Sequence, residues 1–106
     1  MALTIKNKSN AELIEKGSRF IAYVIPVDSS GTAMNEIKML WDQHPKASHI
    51  CYAYRCGTKH PEIKFEDDGE PSGTAGRPIL NHIEGQELYN ILIAVVRYFG
   101  GTLLGK

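Results

Sequence analysis

The segment from residue 65 to residue 78 carries the side chains of this sequence that are best suited to chemistry. Four of the five residues 66–70 are carboxylates, and small residues follow them at once. Carboxylate oxygens are the ligands that hard cations such as Mg²⁺ prefer, so Asp67, Asp68 and Glu70 are candidates for a metal site. Such a cluster would support a magnesium-dependent hydrolase or a phosphoryl-transfer enzyme.

The same segment supports two other interpretations, one of binding and one purely structural. Ser72, Gly73 and Thr74 lie at the start of a predicted helix, where free N–H groups would bind a phosphate. This interpretation competes with the metal site, because an acidic cluster repels a phosphate. In the structural interpretation the carboxylates cap the helix and pair with Arg77 or Arg97, which fixes a tight loop without any ligand.

Arg97 lies near the end of the most apolar run of the chain, which predicts a buried central strand over residues 90–99. Side chains alternate along a strand, so Arg97 is predicted on one face of the sheet and Tyr98 on the other. An arginine beside buried apolar residues needs an anionic partner. We predict Asp67 or Asp68 in that role.

The two cysteines of the chain do not form a recognisable metal or nucleophile site. Cys51 and Cys56 are five residues apart in a predicted strand, so their side chains point to opposite faces and cannot chelate one ion. The histidines stand in no recognisable triad with a serine or a cysteine. In the leading hypothesis we therefore assign no catalytic residue, no metal ligand and no cofactor.

These candidates are positioned by a predicted order of strand, strand, helix, strand, strand, helix and strand. Apolar and β-branched runs predict the strands, and an apolar stripe at helical spacing predicts the first helix, with Ser30 as its N-cap. In chain order the predicted elements cover residues 12–15, 19–27, 30–44, 49–56, 62–66, 74–84 and 90–99. The pattern predicts an α+β fold in which helices pack on a mixed β-sheet.

Composition narrows the class of protein further. The 106 residues suffice for one domain. The 12 Lys+Arg and 12 Asp+Glu residues give zero net charge, which argues against a protein that coats nucleic acids or other polyanions without specificity. A hydrophobic content of 42% is typical of a globular chain, and no apolar run reaches the roughly 20 residues that span a bilayer. We predict a soluble, cytoplasmic domain without a membrane partner.

Five segments together resemble the IMPACT-type, or YigZ-like, family of small domains. They are residues 16–22, 44–49, 53–55, 67–80 and 95–105, and the most specific pair is DDGEPSGTAGRPIL with VVRYFGGTLLG. The resemblance implies an α+β fold like that of domain 2 of ribosomal protein S5. The resemblance also implies that the motif VVRYFGGTLLG continues into a further helix. Residues 1–106 are therefore predicted to form a single N-terminal domain that is incomplete at its C-terminal end.

The resemblance also implies a function without catalysis. The family has no established enzymatic activity, and its eukaryotic members regulate translation under stress by competing for a ribosome-associated activator of a translational kinase. We therefore predict a translation-associated domain that binds RNA, the ribosome or a translation-regulatory protein; the magnesium-dependent enzyme is the alternative. The predicted binding residues are Asp67, Asp68, Glu70, Ser72, Gly73, Thr74, Arg77, Arg97, Tyr98, Gly100 and Gly101.

Overall fold

The computed structural model describes residues 6–70 and 72–99. Its elements are β1 (Ser9–Glu15), β2 (Ser18–Pro26), α1 (Ser30–Gln43), β3 (His49–Cys56), β4 (Glu62–Glu66), α2 (Gly76–Gly85) and β5 (Ile91–Tyr98). The α+β class and the order of the elements are confirmed. Lys16 and Gly17 join β1 to β2 with φ angles of 52° and 82°, which a tight hairpin turn requires. Within the described residues, no helix is long and apolar enough to cross a lipid bilayer.

The five strands form one sheet in the order β1-β2-β5-β3-β4, and every pairing between these strands is antiparallel. The prediction of a mixed sheet is therefore wrong in this detail. A strand–helix–strand connection favours parallel neighbours, and β2 and β3 do run in the same direction. They are not paired, however, because β5 lies between them and is antiparallel to both.

The first helix, α1, covers one face of the sheet. Its buried stripe packs against β2, β3 and β5 and consists of Ala33, Ile37 and Leu40. The N-cap is Ser29 rather than the predicted Ser30, since the Ser29 hydroxyl accepts a hydrogen bond from the Thr32 N–H at 3.1 Å. The extended backbone of Ser29 is what places its side chain below the first turn of the helix.

The second helix, α2, covers only part of the opposite face. Its buried side chains Leu80 and Ile83 pack against Ala53 of β3 and Ile91 of β5. The helix begins at Gly76, two residues later than predicted, and it contacts β3 and β4. The half of this face that belongs to β1 and β2 is less covered, and Leu13 of β1 is 57% exposed.

Candidate functional site

The acidic loop, residues 67–70 and 72–75, is held against the start of α2 by the carboxylate of Asp67. This carboxylate accepts hydrogen bonds from the N–H groups of Gly73 at 2.9 Å, Ala75 at 3.1 Å and Gly76 at 2.7 Å. Hydrogen bonds from Gly73 and Gly76 are the main reason why the pKa of Asp67 is lowered. Of the three residues that the phosphate interpretation named, Gly73 therefore donates its N–H group to a carboxylate of the same chain, as do Ala75 and Gly76 at the start of α2.

The capping role of Asp67 predicts a specific dependence of stability on pH. Its pKa is lower in the folded chain than in the unfolded chain, where it is about 4. The stabilisation by this carboxylate is therefore present above pH 4 or so and is lost as the pH falls through the folded-state pKa. We expect Asp67→Asn to be less stable than the parent at pH 7 and the difference to shrink towards pH 3. Thermal unfolding of both proteins across this range measures it, and a difference independent of pH would contradict the charged cap.

Asp68 ties the acidic loop to the start of β3. Its carboxylate accepts a hydrogen bond from the Ile50 N–H at 2.8 Å, and its carbonyl oxygen lies 2.6 Å from Nδ1 of His49. The carbonyl can only accept, so Nδ1 of His49 carries the proton. Asp68 and Gly69 have φ angles of 49° and 86°, and these two left-handed residues turn the chain back towards β5.

Glu70, which follows this turn, is the ionic partner of Arg97. Both carboxylate oxygens of Glu70 lie 2.8 Å from Nη1 of Arg97. The prediction that Asp67 or Asp68 pairs with Arg97 is therefore wrong. Asp67 is held beneath α2 and Asp68 on β3, whereas the turn returns Glu70 to the end of β5.

Arg97 borders a cavity between the sheet and the start of α2. Its guanidinium carbon lies 5.5 Å from the ring centre of Phe20 and 5.1 Å from that of Phe99, which are cation–π distances. The cavity has a volume of about 360 Å³. The described residues that line it are Phe20, Cys51, Glu70, Thr74, Ala75, Ile79, Val95 and Arg97.

Cys51 forms part of the cavity wall as an unreactive thiol. Burial, followed by the negative charges of Glu70, Asp68 and Asp67, raises its pKa to about 12. The sulfur lies 3.1 Å from the carbonyl oxygen of Asp67 and donates to it. A thiol with so high a pKa is a poor nucleophile at neutral pH. Cys56 lies in the core under α1, on the other face of the sheet, which confirms the predicted alternation.

Two predicted site residues lie away from the cavity. Tyr98 is on the α1 face, where its hydroxyl lies 2.5 Å from Nδ1 of His44, and Nε2 of His44 lies 2.7 Å from the hydroxyl of Tyr23. Arg77 is exposed, with its guanidinium 5.6 Å from the ring centre of Phe65. The acidic loop therefore shares a surface with Arg97 but not with Tyr98.

The remaining predicted residues divide into exposed and undescribed positions. Ser72, Gly73 and Thr74 are exposed in the acidic loop. Gly100 and Gly101 lie outside the described residues. The sequence did not single out Phe20 or Ile79 for the cavity, since their role depends on the position of β2 beside β5 and on the placement of α2.

The three carboxylates proposed as magnesium ligands face different groups. Asp67 binds backbone N–H groups of the loop and of α2, Asp68 binds the backbone of β3, and Glu70 binds Arg97. Within residues 6–70 and 72–99, no three His, Cys, Asp or Glu side chains are grouped so that they could hold a metal ion. The geometry on which the enzyme alternative depended is not found in this part of the chain.

Comparison with known families gives a match over most of the sequence. The Impact N-terminal domain family matches residues 16–106. An IMPACT family member of Haemophilus influenzae is 42% identical over 92 residues, which cover 85% of this chain and 45% of that protein. The IMPACT family member YvyE of Bacillus subtilis is 39% identical over 102 residues, or 96% of this chain and 47% of that protein. The chain thus spans about half the length of these relatives.

Two solved structures share the fold over about nine tenths of this chain. A protein described as hypothetical has a TM-score of 0.86 and 35% identity, and the match covers 90% of this chain and 47% of that one. A structure described as the two-domain translational regulator Yih1 has a TM-score of 0.71 and 25% identity, with 92% and 39% coverage. The second structure is therefore a relative of this fold that is described as a translational regulator.

Proposed function

Because the chain belongs to the Impact N-terminal domain family, we propose that it is a translation-regulatory domain that acts by binding another protein. The family match and the likeness to a translational regulator support the regulatory role. The proposed contact surface is the acidic loop together with Arg97 and Phe99 at the end of β5. Action within the cytoplasm is part of the same proposal.

The observation that carries this proposal is the neutralisation of charge within the contact surface. Glu70 neutralises Arg97, and the carboxylate of Asp67 binds the N–H groups at the start of α2. An RNA-binding surface instead keeps its cations and N–H groups available to phosphates. The aromatic ring of Phe99 lies 5.1 Å from the Arg97 guanidinium and is 47% exposed. Paired charges beside an exposed aromatic side chain are more typical of a protein interface.

The RNA alternative is tested by titration at two salt concentrations. We expect no binding of a labelled single-stranded RNA or of an RNA hairpin tighter than about 100 μM at about 50 mM salt. Fluorescence anisotropy measures this, with a repeat at about 200 mM salt to detect counterion release. Micromolar binding with a steep dependence on salt would favour RNA as the partner and would overturn the protein proposal.

A site-specific crosslink tests the protein proposal directly. The photoreactive residue p-benzoylphenylalanine is placed at exposed Ser72 of the contact surface. The matched control carries the same photoreactive residue at exposed Thr58. Thr58 follows the C-terminal end of β3, whereas the acidic loop contacts the N-terminal end of that strand at His49. In an actively translating extract we expect the Ser72 position to yield a protein adduct that resists ribonuclease and that the Thr58 position does not give. The same adducts from both positions, or adducts that ribonuclease removes, would contradict the proposal.

A further inference from the structure

Strand β4 forms one edge of the sheet and, among the described strands, pairs only with β3. All five of its residues, Glu62–Glu66, are exposed. The edge of a sheet presents backbone N–H and C=O groups that a further strand can bind. Ile63 and Phe65 lie on the α2 face of this strand and are 42% and 39% exposed. The edge can therefore accept a strand with complementary side chains.

This edge is distant from the points at which the described residues begin and stop. The sheet order places β1 at the opposite edge and β3 between β4 and β5. Ile63 is aligned through Arg55 with Ile91, the first residue of β5. Phe99 follows the last residue of that strand, about 25 Å further along the sheet. The chain therefore leaves the described part of the sheet far from the outer edge of β4.

The charges of β4 are not paired within the described part of the chain. Lys64 is opposite Tyr54 of β3, which is buried on the α1 face, and Glu62 lies on the same face. No ion pair of residues 6–70 and 72–99 includes Glu62 or Lys64. An antiparallel strand with an anion and a cation two residues apart would place an opposite charge against each of them. The strand β4 itself has this pattern.

Two copies of β4 can pair antiparallel in only a few registers. Directly opposite side chains of such a pair lie on the same face, so the two-fold axis must be level with a residue rather than between two residues. Registers centred on Glu62, Lys64 or Glu66 place like charges opposite each other, which is unfavourable. Registers centred on Ile63 or Phe65 instead place opposite charges against each other.

The position of α2 separates these two registers. A register centred on Phe65 requires Glu66 within the pairing. A Cβ atom at Gly76 would lie 2.7 Å from the backbone nitrogen and the carbonyl oxygen of Glu66, so the start of α2 lies against this end of the strand. A register centred on Ile63 does not require Glu66. The register centred on Ile63 is therefore the one that both charge and space allow.

We propose that β4 pairs antiparallel with β4 of a second copy of the chain, with the two-fold axis level with Ile63. Glu62 then lies opposite Lys64 of the partner subunit, and the symmetry repeats this contact. On the α2 face Ile63 lies opposite its own copy, and Phe65 of the partner subunit is diagonal to it. The two sheets join into one. This pairing is independent of the contact surface proposed above, which lies at the end of β5 and stays free.

Sedimentation equilibrium of the chain from about 10 μM to about 1 mM tests the pairing. We expect a monomer–dimer equilibrium with a dissociation constant on the order of 100 μM, because an edge strand of five residues buries less area than a standard interface. A chain that stays monomeric up to about 1 mM would overturn the proposal and would leave the edge to a different protein.

Charge reversal within β4 tests the register. In Glu62→Lys and in Lys64→Glu both contacts across the axis join like charges, so each variant should dimerise at least about tenfold more weakly than the parent. The double variant restores opposite charges, and so does an equimolar mixture of the two single variants. Both should dimerise about as tightly as the parent. In a register centred on Phe65 the double variant would instead bring like charges together, so its recovery identifies the register.

The Glu15→Lys variant is the matched control. It makes the same change of charge at an exposed position of β1, the opposite edge of the sheet, and should leave dimerisation unchanged. Thermal unfolding identifies any variant that does not fold. Dimerisation that a folded Glu62→Lys variant retains in full, or that the folded double variant does not recover, would overturn the proposal.

Discussion

Replacing Arg97 by alanine is expected to lower the free energy of unfolding by about 2–4 kcal/mol. Its partner Glu70 is only 13% exposed, and the Arg97 side chain is 23% exposed. Removing one member of a fully buried ion pair costs about 3–5 kcal/mol, because the other charge is left without a partner, and partial exposure reduces this figure. For a domain of this size the melting temperature should fall by roughly 10–25 °C.

The Arg19→Ala variant is a closely matched control for this experiment. Arg19 also pairs with a carboxylate, that of Glu12 at 2.5 Å, and also lies over an aromatic ring, that of Tyr98 at 5.4 Å. This pair is 48% and 44% exposed, so water screens its charges and we expect a much smaller loss of stability than for Arg97→Ala. Adding Glu70→Gln to Arg97→Ala should restore part of the lost stability. Equal melting temperatures for Arg97→Ala and Arg19→Ala would show that the buried pair does not stabilise the fold.

The features that depend on local periodicity could be predicted from the sequence. The bounds of β3 follow from an apolar run between Ser48 and Gly57, and its alternation places Cys51 and Cys56 on opposite faces. The hairpin follows from turn residues between two strand-like segments. Each of these predictions uses only neighbours in the chain, and none requires the order of strands in the sheet.

The parts of the candidate site that depend on long-range geometry could not be predicted in the same way. The four carboxylates of residues 66–70 are chemically similar, and the left-handed turn at Asp68 and Gly69 is what brings Glu70, rather than another of them, to Arg97. The register that places Phe20 opposite Arg97 exists only because β5 inserts between β2 and β3. The structural interpretation of the sequence included a tight loop held by its own carboxylates, but it did not determine which carboxylate oxygen accepts from which donor.

Replacing Gly76 by alanine is expected to destabilise the fold by about 3 kcal/mol, although alanine is the better residue within a helix. A Cβ atom at Gly76 would lie 2.7 Å from both the backbone nitrogen and the carbonyl oxygen of Glu66. These atoms belong to the last residue of β4, which is paired with Tyr52 of β3 and cannot move aside alone. The start of α2 must shift instead, which also disturbs the hydrogen bond from the Gly76 N–H to Asp67.

The Gly85→Ala variant separates this steric effect from helix propensity. Gly85 is the last residue of the same helix, and a Cβ atom there would meet no atom within 4 Å. We therefore expect its stability to be unchanged or raised by up to about 1 kcal/mol, whereas Gly76→Ala should melt roughly 10–20 °C below the parent. Propensity alone predicts that both variants gain stability, and the contact with β4 predicts opposite signs. If Gly76→Ala melts at or above the parent temperature, α2 moves away from β4 at little cost, and the acidic loop between them is not fixed by this contact.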